Sequence, residues 1–424
     1  MSREADEPHL RMRRNFVFHV HPLRVSEHAL NPWLTLGLGI LTGVLFFLLC
    51  ASGALLMIYY IPSTERAYDS MLDIQHAVAF GPFVRALHRW SAHGMVACVG
   101  LHLVRVAACA AYRGRTLNWF IGLALLASTL GLAYTGYLLP WDQRAYWAVT
   151  VSANLLDHFP WLGAPLKELF LGGERVGQAA LIRFYTLHVF VLPVVLLALL
   201  GLHLWRIRKD GGLAGRPADD RLLPAWPHLL LREAILVLCA LAVAGLFAAL
   251  VDAPLGGRPD LHHPSNPDKA PWFFLWVQEM VSYSAPVGGV AFPSLAVLLL
   301  VVWPFADRGE RATGRWLGAP RSRWLLGAVV LSAAAAFASL EWAYLAGEGC
   351  AGSHPDLLNP ASGMLVLAAV AAAAAGWVDR SRRTALLAAL GVTLVAVVGC
   401  ILVGLCRGPD WIFYWPWEDW PLVG

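Results

Sequence analysis

Of the 424 residues, 58% are hydrophobic and only 14% are charged. A soluble globular domain carries about a quarter charged residues, so lipid is the solvent for most of this chain. A net charge of +4 decides little by itself, and no nucleic-acid partner is expected. Seven scattered cysteines form neither CxxC nor CxxCH, which argues against a zinc site and against covalent c-type haem. The basic residues are almost all arginine, with lysine only at Lys167, Lys209 and Lys269, a composition that suits a GC-rich bacterial genome. No cleavable signal peptide is expected, because the first apolar run is too long for a signal core.

In chain order, runs long enough to cross about 30 Å of hydrocarbon fall near 33–59, 86–111, 117–139, 184–206, 230–251, 287–305, 323–345, 362–378 and 384–406. The expected fold is therefore an all-α membrane protein of about nine transmembrane helices. Arginine and lysine concentrate in alternate junctions: the N-terminal tail, then the segments after spans two, four, six and eight. Positive charge in short junctions marks the cytoplasmic side. This parity puts the N-terminus in the cytoplasm and the C-terminus in the periplasm of a bacterial inner membrane. Two outer segments, 141–182 and 252–286, are long and rich in Trp, Pro and Gly. Interfacial anchoring explains the tryptophans; a binding pocket at the membrane surface is the sharper reading of such long loops.

Span two carries His88 and His102, fourteen residues apart, and span four carries His188 and His203, fifteen apart. At 100° per residue these spacings return to within about 40° and about 60° of one face, with a rise of about 21–22 Å. Both spans run inward, so His88 faces His188 near the outer side and His102 faces His203 near the inner side. A lone membrane histidine is usually a packing residue. Two facing pairs at two depths instead suit axial ligation of two non-covalent haems b, and all four are expected to be iron ligands. His93 lies about 140° around the helix from His88 and is read as a packing or hydrogen-bonding residue. Gly39 and Gly53 in span one, and Gly122 and Gly136 in span three, repeat the spacing of fourteen. Small residues also serve plain helix packing, but the shared depths favour a flat macrocycle approaching the backbone. Arg85, Arg105, Arg183 and Arg206 flank the histidines toward the membrane faces, where haem propionates or lipid phosphate would meet them.

The segments RALHRWSAHGM…LHLVRV (85–106), GYLLPWDQRAYWAV (136–149) and RFYTLHVFVLPVV…LHLWRIRKDGG (183–212) resemble the cytochrome b family of Rieske–cytochrome b complexes, closest to the bf type. PAWPHLLL (224–231) and NPDKAPWFFLWVQEM (266–280) resemble the separate fourth subunit of the bf complex, here fused to the first part. The resemblance covers about 30–306. It implies a dihaem four-helix domain at 1–215, a quinol-site domain at 216–310, and additional C-terminal helices with a periplasmic tail at 311–424. It implies further that quinol is oxidised at the outer face between the two long segments. One electron would pass to a Rieske iron–sulfur protein and on to a c-type cytochrome, the other through both haems across the membrane, adding to the proton motive force. A homodimer within a larger lipid-embedded complex is implied as well.

Two departures from the family pattern matter. Where the family reads Pro-Glu-Trp-Tyr, this chain has Ala270-Pro271-Trp272-Phe273, and Pro271 cannot accept a proton. Glu279 or Asp268 is expected to substitute, Glu279 slightly ahead, with Trp272 and Tyr146 completing the quinol site. Second, the cysteine that attaches an extra haem in bf-type proteins is matched by Gly37, so that attachment is not expected. Cys350 and Cys406 both fall on the outer side, where a disulfide is permitted; unpaired small apolar cysteines are the alternative. Other classes remain: a haem b anchor of another respiratory oxidoreductase, such as a hydrogenase or formate dehydrogenase, or a haem-free transporter. The latter would call for an inverted repeat or broken midplane helices.

Overall fold

The computed structural model describes residues 23–159, 161–212, 220–307, 309, 316–348 and 359–418. Thirteen helices of nine residues or more carry the architecture: α1 (Leu38–Tyr59), α2 (Ala67–His76), α3 (Gly81–Ala108), α4 (Thr116–Leu138), α5 (Gln143–Leu155), α6 (Gly163–Leu171), α7 (Gln178–Lys209), α8 (Leu230–Leu250), α9 (Trp272–Tyr283), α10 (Ala285–Ala306), α11 (Pro320–Glu348), α12 (Pro360–Asp379) and α13 (Arg382–Cys406). Among the described residues nine of these are long and apolar enough to cross a membrane: α1, α3, α4, α7, α8, α10, α11, α12 and α13. The chain is a multi-pass membrane protein. Among the described residues strand is confined to two three-residue segments, Arg24–Ser26 and Leu222–Pro224, paired antiparallel.

A helix in lipid must satisfy every polar group internally. Hydroxyl residues in α1 and α4 do so by bonding back one turn: Thr42 Oγ1 to the Leu38 carbonyl at 2.7 Å, Ser52 Oγ to Leu48 at 2.8 Å, and Thr135 Oγ1 to Gly131 at 2.7 Å. Helix starts use side-chain caps, which satisfy backbone donors that have no intrahelical acceptor. Asp142 caps α5, Asn359 caps α12 and Ser381 caps α13.

The N-terminal bundle consists of α1 packed along α3 and α4 packed along α7, with α3 also against α4. Helix α8 covers the outside of α3, and α11, α12 and α13 form a second cluster that contacts α9 and α10. Contacts between junctions obey the alternation read from the charges. At one end, Gln143 and Trp147 bond to the 260–263 segment, Asp142 to Gly256, Gln178 to Thr64, and Asn266 to Asp410. At the other end, Arg113 pairs with Asp307, Arg115 with the Gly212 carbonyl, and Arg383 with the Ala108 carbonyl. These links all join junctions of like parity.

The long outer segments are not plain loops. The 141–182 stretch contains α5 and α6, and 252–286 contains α9. Glu279 belongs to a separate twelve-residue helix ahead of span α10. Cys350 lies outside the described residues, so its pairing with Cys406 has no structural account. Several basic residues of the inner junctions, among them Arg11, Arg13, Arg14, Arg216 and Arg311, lie outside them too.

Candidate functional site

The outer histidines meet across the bundle. The His88 and His188 ring centroids are 6.1 Å apart, and the rings are inclined at 72°. Two metal–nitrogen distances of about 2 Å each, plus the two ring radii, come to roughly 6 Å. The Nδ1 atoms face away from the gap: that of His88 lies 3.0 Å from Ser52 Oγ, and that of His188 lies 3.0 Å from the Leu132 carbonyl. A hydrogen bond at one ring nitrogen fixes the tautomer and leaves the other nitrogen as ligand, the usual second partner of a metal-bound histidine. In the inner pair His102 has His203 and Arg105 as charged-group neighbours, but the Nδ1 atoms of both His102 and His203 are buried without a hydrogen-bond partner, unlike those of the outer pair. Among the described residues no group of three or more His, Cys, Asp or Glu could hold a bare metal ion. Paired imidazoles with nothing else to coordinate suit an iron whose equatorial positions are filled by a porphyrin.

The 15-residue spacing in α7 has a local explanation. Residues Leu187–Val191, which include His188, form a π turn. One extra residue in that turn absorbs the odd position, so fifteen residues span the angular path of the fourteen in α3. Such turns concentrate at functional sites.

Each of the four glycines lies against an imidazole. A Cβ built on Gly136 would sit 2.4 Å from His188 Cε1, on Gly53 3.1 Å from His88 Cε1, on Gly39 3.4 Å from His102 Cε1, and on Gly122 3.9 Å from His203 Cε1. Gly136 thus admits the His188 ring itself, not only a macrocycle. In the outer tier a hydroxyl residue precedes each glycine, Ser52 and Thr135, and each lies beside the histidine Nδ1. That Ser/Thr-Gly pair was a readable signal for the second partner.

A cavity of about 370 Å³ surrounds the outer pair and continues to the second half of the chain. Gly53, His88, Gly136 and His188 line it together with Asp142, Arg144, Pro271 and Phe273. The volume falls within the range of small-molecule sites. Arg85 and Arg89 both line it. Arg85 is engaged with the Gln75 side chain at 2.8 Å and with the Ala253 carbonyl, whereas Arg89 Nε is buried without a hydrogen-bond partner. Of the remaining arginines, Arg105 donates to the Leu34 carbonyl at 2.8 Å and exposed Arg183 to the Glu168 and Leu169 carbonyls at the end of α6, while Arg206 pairs with the Asp210 carboxylate at 3.2 Å but, like Arg89, keeps a buried Nε without a hydrogen-bond partner.

The four residues expected at the quinol site are not gathered together. Glu279 is fully buried: its Oε1 accepts from Arg407 Nε at 2.9 Å and Nη2 at 2.6 Å, and its Oε2 from Trp411 Nε1 at 3.0 Å. Burial pushes its carboxyl up and the Arg407 guanidinium pulls it back. Asp268 is half-buried beside Arg144 and Asp142, and its Oδ2 is buried without a hydrogen-bond partner. Burial raises its pKa to about 7, with Asp142 adding to the rise and Arg144 opposing it. Trp272 donates to His93 Nδ1 at 3.0 Å, and His93 packs on Trp90 and Phe273, which fits the packing role read for it. Tyr146 is buried against Trp141 and Trp147 away from the cavity, and Tyr137 occupies the cavity wall instead. Gly37 adopts φ +62 with Leu236 against it. Arg89, Tyr137 and Arg144 fall within the quoted segments 85–106 and 136–149 but were not singled out as site residues.

Fold and site together define a polytopic helical membrane protein with facing imidazole pairs suited to a redox cofactor. The family model described as Cytochrome b/b6/petB matches residues 23–211. The cytochrome b6 of Heliobacterium mobile is 42% identical over 192 residues, covering 45% of this chain and 88% of that protein. That of Synechococcus elongatus is 41% identical over 175 residues, covering 41% and 81%. The chain belongs to the cytochrome b/b6 family, and this membership implies haem b binding. A solved structure titled hyperthermophilic respiratory Complex III aligns at TM-score 0.68 with 24% identity, covering 92% of this chain and 97% of its own; at that identity it shows the fold alone.

Proposed function

We propose that the chain is the cytochrome b subunit of a quinol oxidoreductase complex, with His88 and His188 holding an outer haem b and His102 and His203 an inner one. The carrying observation is the His88–His188 pair, 6.1 Å between centroids with both Nδ1 atoms turned to helix acceptors. Bound haem would supply reversible one-electron chemistry at each tier. Arg89 is the arginine best suited to an outer propionate, since its buried Nε lacks a partner, and Arg85 supports it from the same wall.

Quinol would enter the part of the cavity bounded by Pro271, Phe273, Asp142 and Arg144. Oxidation requires a proton acceptor within hydrogen-bond reach. The geometry favours Asp268 over Glu279: the acceptor oxygens of Glu279 are occupied by Arg407 and Trp411, whereas Asp268 keeps a free oxygen beside the cavity-lining Arg144. Trp272 would brace the wall through His93. A Rieske iron–sulfur protein and a c-type cytochrome are the partners this reading calls for, in a complex built on a homodimer. The three-part division at residues 215 and 310 belongs to the same proposal. Energy is stored when charge crosses the membrane, about 2.3 kcal/mol per charge per 100 mV.

The test is a redox titration of the purified complex with haem content measured alongside. Two b-type transitions per chain and quinol-dependent reduction of both are expected. A single transition, or none, refutes the dihaem assignment.

A further inference from the structure

Residues beyond about 310 resemble nothing in the two-part bf arrangement, yet the end of α13 and the tail after it are fastened to the segment that walls the cavity. Arg407, fully buried, grips Glu279 of α9 with two nitrogens and reaches Glu341 of α11 at 3.7 Å. The same guanidinium donates to the Trp411 carbonyl at 3.0 Å, while the Trp411 indole donates to Glu279. Tyr283, the last residue of α9, donates to Glu341 at 2.7 Å. Ahead of α9, Asn266 and Asp410 exchange two hydrogen bonds, Nδ2 to Oδ1 at 2.7 Å and backbone N–H to Oδ1 at 2.6 Å. Lys269 donates to the Leu405 carbonyl at 2.7 Å. Between these ties Gly404 lets α13 close on α9: a Cβ there would meet Leu275 Cγ at 2.8 Å.

These ties bracket Asp268, Pro271 and Phe273 on both sides. We infer that the 404–411 segment is a brace for the quinol-binding wall, and that Arg407 is its central positioning residue. Held from outside the cavity, the wall keeps Asp268 and Phe273 in place without any tail residue entering the pocket. A misplacement of about 1 Å at a reacting group is enough to cost about 100-fold in rate, so an ordered wall is a kinetic requirement. The inference rests on the quinol-site reading, and the experiment separates the two.

Quinol-dependent haem reduction is first measured in membranes holding the wild-type complex; its absence defeats the quinol reading itself. Asn266→Ala then removes both outer ties without touching a buried charge, and Asp410→Asn keeps the Oδ1 acceptor and the backbone donor. Asn266→Ala is expected to raise the quinol KM roughly 3- to 10-fold with kcat less affected and haem content unchanged, and to speed hydrogen exchange across 266–283. Asp410→Asn is expected to stay near wild type. Arg407→Gln is expected to lower kcat as well; should it accumulate no haem, the decision falls to Asn266→Ala. Wild-type KM and exchange in Asn266→Ala, or equal impairment in Asp410→Asn, would overturn the brace.

Discussion

Substituting His88 or His188 by Ala should remove the outer haem and leave about one haem per chain, since a bis-histidine iron needs both imidazoles; haem quantitation in purified protein checks this. The glycines grade more finely. Gly136→Ala should abolish the same haem, because its Cβ would fall 2.4 Å from His188, whereas Gly122→Ala, at 3.9 Å from His203, meets ordinary contact and should keep both haems. Equal haem loss in the two variants would contradict this. For Asp268, with its pKa raised to about 7, the base is the ionised form, so quinol oxidation should rise as pH increases through about 7. Asp268→Asn should lose that ionisation from the rate profile and slow turnover by roughly 100-fold or more. At this scale the histidines were legible because one spacing recurs on two helices. The engagement of Glu279 was not, because its partner Arg407 stands 128 positions away. Arg89 was illegible for a similar reason: lacking a partner is a property of packing, and packing leaves no motif.

Among elements, the nine spans could be read from apolar length to within a few residues, as lipid imposes a single solution on the backbone. Helices α2, α5, α6 and α9 were missed because they are short and draw their stability from tertiary contacts rather than propensity. The π turn at Leu187–Val191 was not legible, since a fifteen-residue spacing on a regular helix already returns to within about 60° of one face. Helix α9 depends on its buried ion pair. Removing one partner strands a buried charge, at a cost of about 3–5 kcal/mol. Arg407→Ala should therefore lower the thermal midpoint of the complex clearly more than Asp410→Asn does, as followed by the loss of the haem Soret signal on heating.

For the whole molecule, like-parity junctions bond to one another, and this supports the two-sided arrangement read from the arginines. A cysteine placed at exposed Glu65 should react with an impermeant maleimide from the periplasmic side. One at Arg208 should react only after permeabilisation. The reverse pattern would invert the topology. The outer cavity takes wall residues from both long segments, Asp142 and Arg144 from one and Ala253, Pro271 and Phe273 from the other, the two stretches between which a pocket was expected; its continuity with the His88–His188 pair is what separate motifs could not give.

The Glu279–Arg407 pair also bears on how the molecule is made. Glu279 leaves the ribosome 128 residues ahead of Arg407, so while α10 to α13 are being threaded into the bilayer it lacks the guanidinium that grips it in the finished fold. The wall that α9 contributes to the cavity can set only after the last helix is in place. The grip on α9 therefore forms late, once α13 has been made.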